Sequence, residues 1–214
     1  MPPHVQPLSV ALIGHSMLDD VRKAAYQQSL YKDLGVSRLS VNWLVARGMT
    51  WRKYWRSVLP SIPLILPDIV YFQIVENDLD SPESVEHLAQ AYLRQALVFV
   101  QDLCVEVVII SMAIHRTRTR TPGLSRGDLQ DKVDSFNQLM RIRLLRDPGA
   151  TTFIRNPATC FKDPHIWWWE HARLRACPPA KLAADGVHLT TAGTRRLLRS
   201  VKTAVWQASA FIRH

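Results

Sequence analysis

Two short segments, far apart in the chain, carry residue types used in nucleophilic catalysis. The first is LSVALIGHSM at residues 8–17, which contains Ser16, and the second is DGVH at residues 185–188. A serine hydroxyl becomes an effective nucleophile when a histidine takes its proton and a carboxylate holds that imidazole in the required tautomer. Asp185 and His188 are close enough in sequence for one turn to bring them together. Ser16, His188 and Asp185 are therefore candidates for nucleophile, base and orienting acid, with a helix cap as the simpler interpretation of Ser16.

An alternation of strands and helices would bring such segments to one edge of a sheet. Apolar runs predict strands at 8–13, 38–44, 68–75, 105–111 and 151–154. Helices are predicted at 19–30, 50–58, from Ser81-Pro82-Glu83 onward, at 128–145 and at 191–211. The stretch through WWW at 167–169 is predicted to be irregular. Strands that are apolar on both faces are typical of a parallel sheet covered by helices on both sides. Right-handed crossovers place the carboxyl ends of such strands at one edge, where ligands bind. Since the sequence contains no internal repeat, we predict a single domain over residues 1–214.

Further polar groups follow the predicted strands. Gly48 comes after the second strand, and the third strand ends in Val75-Glu76-Asn77-Asp78. Backbone N–H groups and an asparagine amide are suitable donors for the oxyanion that develops during acyl transfer. Taken alone, Asn77 and Asp78 could equally form an ordinary turn.

In order along the chain, these blocks resemble those of the SGNH (GDSL-type) hydrolase superfamily. The matching segments are GHS at 14–16, Gly48, END at 76–78 and DGVHLTTAG at 185–193, and together they span nearly the whole chain. The resemblance implies an α/β fold, a three-layer α/β/α sandwich of flavodoxin-like type with a central, mostly parallel five-stranded sheet. It also implies that Ser16, His188 and Asp185 form the triad, with an oxyanion hole from the N–H groups of Ser16 and Gly48 and the amide of Asn77. Neighbouring residues are then expected to contact substrate, namely His15, Met17, Asp78 and Arg116.

The function implied by this resemblance is that of a serine esterase. It would cleave small carboxylic esters, with acetyl or short acyl groups, through an acyl-serine intermediate and without a cofactor or metal ion. A second hypothesis is a catalytically degenerate module that binds nucleic acid or supports assembly, because similar domains occur in invertebrate genomes, some linked to retroelements. A third is a carbohydrate- or lipid-binding relative that keeps the pocket without turnover.

Two residues depart from the superfamily pattern. His15 stands where the GDS block has aspartate, and Val75 stands where the G-x-N-D block has glycine. We expect His15 to organise the loop of Ser16 differently. We expect the branched Val75 to narrow the pocket or to tilt Asn77.

The chain is strongly basic, which predicts affinity for polyanions. Its 27 lysines and arginines exceed its 18 acidic residues, giving a formal charge of +9. The basic residues concentrate at Arg116, Arg118 and Arg120, at Arg141, Arg143 and Arg146, and at Arg195, Arg196, Arg199 and Lys202. The partners expected are thus a small ester and, through the basic surface, a nucleic acid or another polyanion. The run HRTRTRTPG, which follows the predicted strand at 105–111, is either a cationic lip of the site or a solvated loop.

Cysteine usage and hydropathy predict an intracellular protein. The three cysteines show no spacing typical of a disulfide framework, no apolar run approaches the ~18 residues that cross a bilayer, and the N-terminus lacks the basic region of a signal peptide. A zinc interpretation of Cys160, His165, His171 and Cys177 fits no common zinc module by spacing. We interpret this segment as aromatic packing, with at least one of Trp167, Trp168 and Trp169 buried.

Overall fold

A six-stranded sheet forms the centre of the protein. The computed structural model describes residues 6–144, 153–154, 165–172, 174 and 181–213. The strands are Leu8–Gly14 (β1), Leu39–Val45 (β2), Ile69–Gln73 (β3), Val107–Ser111 (β4), Phe153–Ile154 (β5) and Ile166–Trp169 (β6), in the spatial order β2-β1-β3-β4-β6-β5. All neighbours pair in parallel except β5, which is antiparallel to β6 at the edge. The predicted parallel sheet of five strands is confirmed, but its fifth parallel strand is β6, and the described part of the strand predicted at 151–154 is the antiparallel edge strand β5.

Helices cover both faces of this sheet. They are Ser16–Gln27 (α1), Trp51–Ser57 (α2), Ile62–Ile65 (α3), Glu76–Leu79 (α4), Val85–Gln101 (α5), Arg126–Leu144 (α6) and Thr191–Ile212 (α7). Apolar side chains of α1 and α7 pack on one face, and those of α5 and α6 pack on the other. The predicted three-layer sandwich is therefore confirmed. Within the described ranges, no helix is both long and apolar enough to cross a bilayer.

The strand register explains how distant segments meet at one point. Gly14, the last residue of β1, is paired with Val45 of β2 on one side and with Gln73 of β3 on the other. The chain therefore leaves three adjacent strands at the same height. The segments that follow them contain Ser16, Gly48 and Asn77.

The tryptophan segment differs from the prediction. Instead of being irregular, residues 166–169 form the fifth parallel strand, β6. Trp167, Trp168 and Trp169 are each 1–2% exposed, so the expectation that at least one is buried is confirmed. Because side chains alternate along a strand, Trp168 packs under α5 and α6 while the other two pack under α7. The three rings therefore belong to the core of the sandwich.

Element boundaries also differ at two helices that lie near the strand ends. α1 begins at Ser16, three residues earlier than predicted, and α5 begins at Val85 with Ser84 as its N-cap. The short helix α4, which contains Asn77, was not predicted. This helix has only four residues, which is too short for a helical repeat of apolar residues to be recognised in the sequence.

Candidate active site

Ser16 lies at the tight junction between β1 and α1. The junction requires glycine at position 14, because a Cβ there would lie 2.6 Å from a methyl of Leu18 and 3.0 Å from the Gln73 carbonyl oxygen. The N-cap of α1 is His15, whose Nδ1 accepts a hydrogen bond from the Met17 N–H at 3.3 Å. The interpretation of Ser16 as a cap is therefore wrong. As the first residue of the helix, Ser16 has an N–H with no acceptor inside the helix.

His188 links Ser16 to Asp185. Its Nε2 lies 3.0 Å from Ser16 Oγ, and its Nδ1 lies 2.5 Å from Asp185 Oδ2. A carboxylate acceptor at Nδ1 requires the proton on that nitrogen, which leaves Nε2 free to accept from the serine hydroxyl. The structure thus joins residues 172 positions apart in the order serine, imidazole, carboxylate.

The carboxylate of Asp185 is held by its own loop. Its Oδ1 accepts hydrogen bonds from the backbone N–H groups of Val187 and His188, both at 2.9 Å. The His188 side chain and these two N–H groups hold the pKa of Asp185 well below its usual range. Asp185 is therefore ionised throughout the neutral range, as an orienting carboxylate must be.

The loop after β4 is hydrogen-bonded to the DGVH turn. The carbonyl oxygen of Gly186 accepts a hydrogen bond from the Thr117 N–H at 2.9 Å. Gly186 has φ +66°, and a Cβ at this position would lie 2.4 Å from Thr117 Oγ1, so only glycine fits. The run HRTRTRTPG therefore lies at the same edge of the sheet as Ser16.

Asn77 and Gly48, the oxyanion-hole candidates, lie on neighbouring loops that are hydrogen-bonded together. Asn77 Nδ2 donates to the carbonyl oxygen of Met49 at 2.7 Å, which leaves its second amide proton for another acceptor. On the other side of Gly48, the Ala46 N–H donates to the Gly14 carbonyl at 3.1 Å. These two contacts fix the loop of Gly48 between the end of β1 and Asn77.

Arg116 orients the amide of Asn77. Its two terminal nitrogens donate to Asn77 Oδ1 at 3.1 and 3.2 Å. The side chain is 1% exposed, and among the described residues its Nε has no hydrogen-bond partner and its guanidinium has no carboxylate within 4.0 Å. Burial lowers the pKa of Arg116, although Glu76, Asp80 and Asp185 nearby oppose that shift. A cation on Oδ1 also polarises the amide, which makes the N–H groups of Asn77 stronger donors.

His15 is paired with Glu76 beneath the nucleophile. Its Nε2 donates to Glu76 Oε2 at 2.8 Å, while its Nδ1 accepts from Met17, so both ring nitrogens have partners. His15 and Glu76 are 0% and 1% exposed. Where the superfamily pattern places a carboxylate before the serine, this chain places an imidazole and supplies the carboxylate from Glu76. The loop of Ser16 was expected to be organised differently, and the His15–Glu76 pair is that difference.

Glu76 is the centre of a buried polar network. Its Oε1 accepts from Gln73 Nε2 at 3.1 Å and from the Ile114 N–H at 3.2 Å. Burial alone would raise the pKa of Glu76, but His15, Arg116 and the Gln73 amide outweigh it and lower the pKa to about 2. The network therefore holds an ionised carboxylate that connects the ends of β1, β3 and β4.

Val75 and Asp78, which lie on either side of Asn77 in the sequence, are both buried. Val75 has φ −64° and ψ −26° and is 1% exposed in the core on the α5 side, so this position requires no glycine conformation. Both carboxylate oxygens of Asp78 accept from the Trp51 N–H, at 3.0 and 2.9 Å, at the start of α2. Burial raises the pKa of Asp78 to about 7, against the opposing effect of that N–H.

All four residues predicted to bind substrate are buried. His15, Met17, Asp78 and Arg116 are between 0% and 9% exposed. Three of them bond other protein groups, and Met17 belongs to the core on the face of the sheet that α1 and α7 cover. Each therefore supports the loops around Ser16, and a direct contact with substrate stays a prediction.

The segment considered for zinc contains histidines that bond other groups. His171 is 0% exposed and lies among hydroxyls, with Ser111 Oγ at 3.0 Å and Tyr71 Oη at 3.2 Å from its Nε2. Burial lowers its pKa to about 4. Cys160 and Cys177 lie outside the described residues, and within those residues no three His, Cys, Asp or Glu side chains form a group that could hold a metal ion.

Comparisons with known proteins bear on the fold. No protein-family model matches the chain, and no curated protein matches it by sequence. Determined structures do resemble it. A GDSL-like lipase from Bacteroides thetaiotaomicron has a TM-score of 0.69 at 14% identity, covering 95% of this chain and 92% of that one. A carbohydrate esterase of family 3 from Talaromyces cellulolyticus gives 0.64 at 14%, covering 94% and 97%. An acetyl esterase gives 0.63 at 15%, covering 96% and 99%.

Proposed function

We propose that this chain, whose fold is that of the GDSL-like lipases and acylhydrolases, is a serine esterase that cleaves small carboxylic esters. The observation that carries the proposal is the continuous hydrogen-bonded series from Ser16 Oγ through His188 to Asp185. The three residues come from opposite ends of the chain. Their order and atoms are those required to remove the serine proton during attack on an ester.

The geometry supports a two-step reaction. Ser16 Oγ attacks the ester carbonyl carbon while its proton passes to His188 Nε2, and the alcohol departs with that proton as the tetrahedral intermediate collapses. Water then attacks the acyl-serine, gives a proton to His188, and releases the carboxylic acid and the free serine. Asp185 remains ionised throughout and stabilises the imidazolium.

The negative charge of each tetrahedral intermediate needs nearby donors. The N–H groups of Ser16 and Gly48 and the amide of Asn77 are the proposed oxyanion hole. The contact of Arg116 with Oδ1 of Asn77 supports this role, because it directs Nδ2 away from the guanidinium.

Short acyl groups are the proposed substrates. The large side chains nearest Ser16 in sequence, His15 and Met17, are fully buried, as are the tryptophans of β6. The fold is shared with an acetyl esterase and with an acetyl xylan esterase. These likenesses favour acetyl esters as the first compounds to test.

A fluorophosphonate probe and p-nitrophenyl acetate test the proposal directly. Wild-type protein should be labelled and should hydrolyse the ester, whereas Ser16→Ala and His188→Ala should abolish labelling and lower turnover by ~1000-fold or more. If wild-type protein is not labelled, the esterase proposal fails.

The chain contains a matched control for this experiment. Ser111 and His171 also form a serine–histidine hydrogen bond, at 3.0 Å, but both are buried and among the described residues no carboxylate bonds this imidazole. Ser111→Ala should therefore retain labelling at the wild-type rate. Labelling that depends on Ser111 instead of Ser16 would contradict the proposal.

A further inference from the structure

Helix α7 carries four cationic side chains and no acidic one. This helix contains Arg195, Arg196, Arg199 and Lys202, and no aspartate or glutamate occurs anywhere in residues 186–214. In contrast, α6 on the opposite face carries charges of both signs. On α7, as on the shorter helix α2, the cations are therefore not balanced by acids along the same element.

The cations form a stripe that ends in an exposed indole. Arg195, Arg199, Lys202 and Trp206 follow one another at spacings of four, three and four residues, so they lie on one side of the helix over ~16 Å. Trp206 is 54% exposed. Within the described part of the chain, no carboxylate lies within 4.0 Å of the three cationic groups.

This stripe borders a concave surface, here called the α7 groove. The groove has a volume of about 740 Å³ and lies between α7 and residues 35–37, with Arg199, Lys202, Trp206 and Arg213 along its length. Arg213 is held at the rim, because one of its terminal nitrogens donates to the carbonyls of Ser37 and Arg38 at 3.1 and 2.9 Å. Lys202 reaches across to the other wall, where its Nζ would lie 3.1 Å from a Cβ at Gly35.

We propose that the α7 groove binds single-stranded nucleic acid. Arg199, Lys202 and Arg213 would contact successive phosphates, and an unpaired base would stack on Trp206. A positive groove combined with an exposed aromatic ring is the arrangement that binds single strands without sequence preference. This inference does not depend on Ser16 and goes beyond the proposed esterase activity.

Two other anionic partners fit the groove less well. A duplex hides the faces of its bases, so it has nothing to stack on Trp206. A helix that binds a membrane surface needs an exposed apolar face, whereas the apolar face of α7 packs on the sheet and Trp206 is its one large exposed apolar residue in the described chain.

Fluorescence anisotropy of a labelled 12-nucleotide oligo(dT) tests the proposal. Contacts with three or four phosphates should make the affinity fall by ~20- to 50-fold between ~50 and ~200 mM salt. The triple variant Arg199→Gln, Lys202→Gln, Arg213→Gln, which removes the three proposed phosphate contacts, should abolish measurable binding. Trp206→Ala should weaken it by roughly five-fold or more, because base stacking is lost.

Helix α2 supplies a matched control. It also carries three cations, Arg52, Lys53 and Arg56, beside an exposed Trp55, but they do not line the α7 groove. The α2 triple glutamine variant and Trp55→Ala should bind oligo(dT) as the wild type does. The same oligonucleotide as a duplex, thymidine monophosphate, and vesicles of phosphatidylserine and phosphatidylcholine should all bind more weakly.

The proposal is overturned by any of three results. These are no binding of oligo(dT) at low salt, equal loss in the α2 and α7 variants, or a duplex, mononucleotide or vesicle that binds as tightly as the single strand. All variants are surface changes, and circular dichroism together with thermal denaturation shows that each remains folded.

Discussion

Arg116 donates two hydrogen bonds to Oδ1 of Asn77 from a position that is 1% exposed. The guanidinium occupies the acceptor end of the amide, so the donor end of Asn77 points to the carbonyl of Met49 and to the loop of Gly48. A buried cation that is paired with no carboxylate of the described ranges is costly, and here its bonded partner is a side chain proposed to stabilise an oxyanion. Arg116 is therefore a positioning residue for the proposed reaction.

We predict that Arg116→Met slows acylation of Ser16 by acting through Asn77. Asn77→Ala should lower kcat by ~100-fold with little change in KM, because an oxyanion donor acts mainly in the transition state. Arg116→Met should lower kcat by roughly ten-fold for the same reason. In the Asn77→Ala background, Arg116→Met should lower kcat by less than a further ~2-fold, because the amide through which Arg116 acts is already absent.

Arg118 is the control for this cycle, since it belongs to the same loop and is exposed. Arg118→Met should leave kcat unchanged, and Arg116→Lys should recover part of the loss. Independent, multiplicative effects of the Arg116 and Asn77 substitutions would contradict the positioning role. An unchanged kcat in Arg116→Met would do the same.

We predict that introducing a GDS motif through His15→Asp destabilises this protein. In His15→Asp, a second carboxylate would be buried beside Glu76, at positions that are 0% and 1% exposed. Loss of the pair and repulsion of the two acids should lower the free energy of unfolding by about 3 kcal/mol at pH 7. Urea denaturation measures this change. The double variant His15→Asp, Glu76→Gln should recover stability, and equal stability of wild type and His15→Asp would disprove the pairing argument.

Glu76 should also determine part of the stability in acid. Its pKa falls from 4.5 to about 2 on folding, because His15 and Arg116 outweigh the effect of burial. A lowered pKa stabilises the fold above pH ~4.5, and this contribution, on the order of 3 kcal/mol, is lost as the pH falls from 4.5 toward 2. Glu76→Gln should be less stable at neutral pH and should show a flatter decline below pH 4.5. A parallel decline in both proteins would show that Glu76 is not responsible.

The sequence predicted the elements that are apolar on both faces and the residues that end them. β1, β3 and β4 follow from their buried runs, and the order of GHS, Gly48, END and DGVH predicted which loops would meet. β6 was missed because bulky tryptophans next to a polar segment give no alternating pattern, although each ring is buried.

The supporting contacts could not be predicted in the same way. His15 and Glu76 are 61 residues apart, and Arg116 and Asn77 are 39 apart, so each pairing depends on the register of the sheet. One signal was available for the first pair. A histidine in place of an expected acid suggests a carboxylate nearby, and Glu76 in the END block was the obvious candidate.

We predict that Val75→Gly, which introduces the glycine of the G-x-N-D pattern, lowers stability and does not raise activity. Val75 is 1% exposed in the core, and its φ of −64° suits any residue. Loss of the side chain and added backbone freedom should together cost about 3 kcal/mol in the free energy of unfolding. Val75→Ala separates the loss of side-chain packing from the gain in backbone freedom, since alanine restricts the backbone more than glycine does. A higher kcat in Val75→Gly at unchanged stability would mean that Val75 obstructs the site.

We predict that Asp78→Asn stabilises the protein as the pH rises. Burial raises the pKa of Asp78 from 3.8 to about 7, so the folded state holds a proton that the unfolded chain loses. Stability from this group is present in full below pH ~3.8 and is lost as the pH rises toward 7, by up to ~4 kcal/mol. Asparagine keeps an oxygen for the Trp51 N–H without the ionisation. The difference between the two proteins in urea denaturation should therefore grow between pH 4 and pH 7, whereas the exposed Asp131→Asn should follow the wild type. A constant difference across that range would show that Asp78 is already ionised in the fold, and that the N–H of Trp51 outweighs its burial.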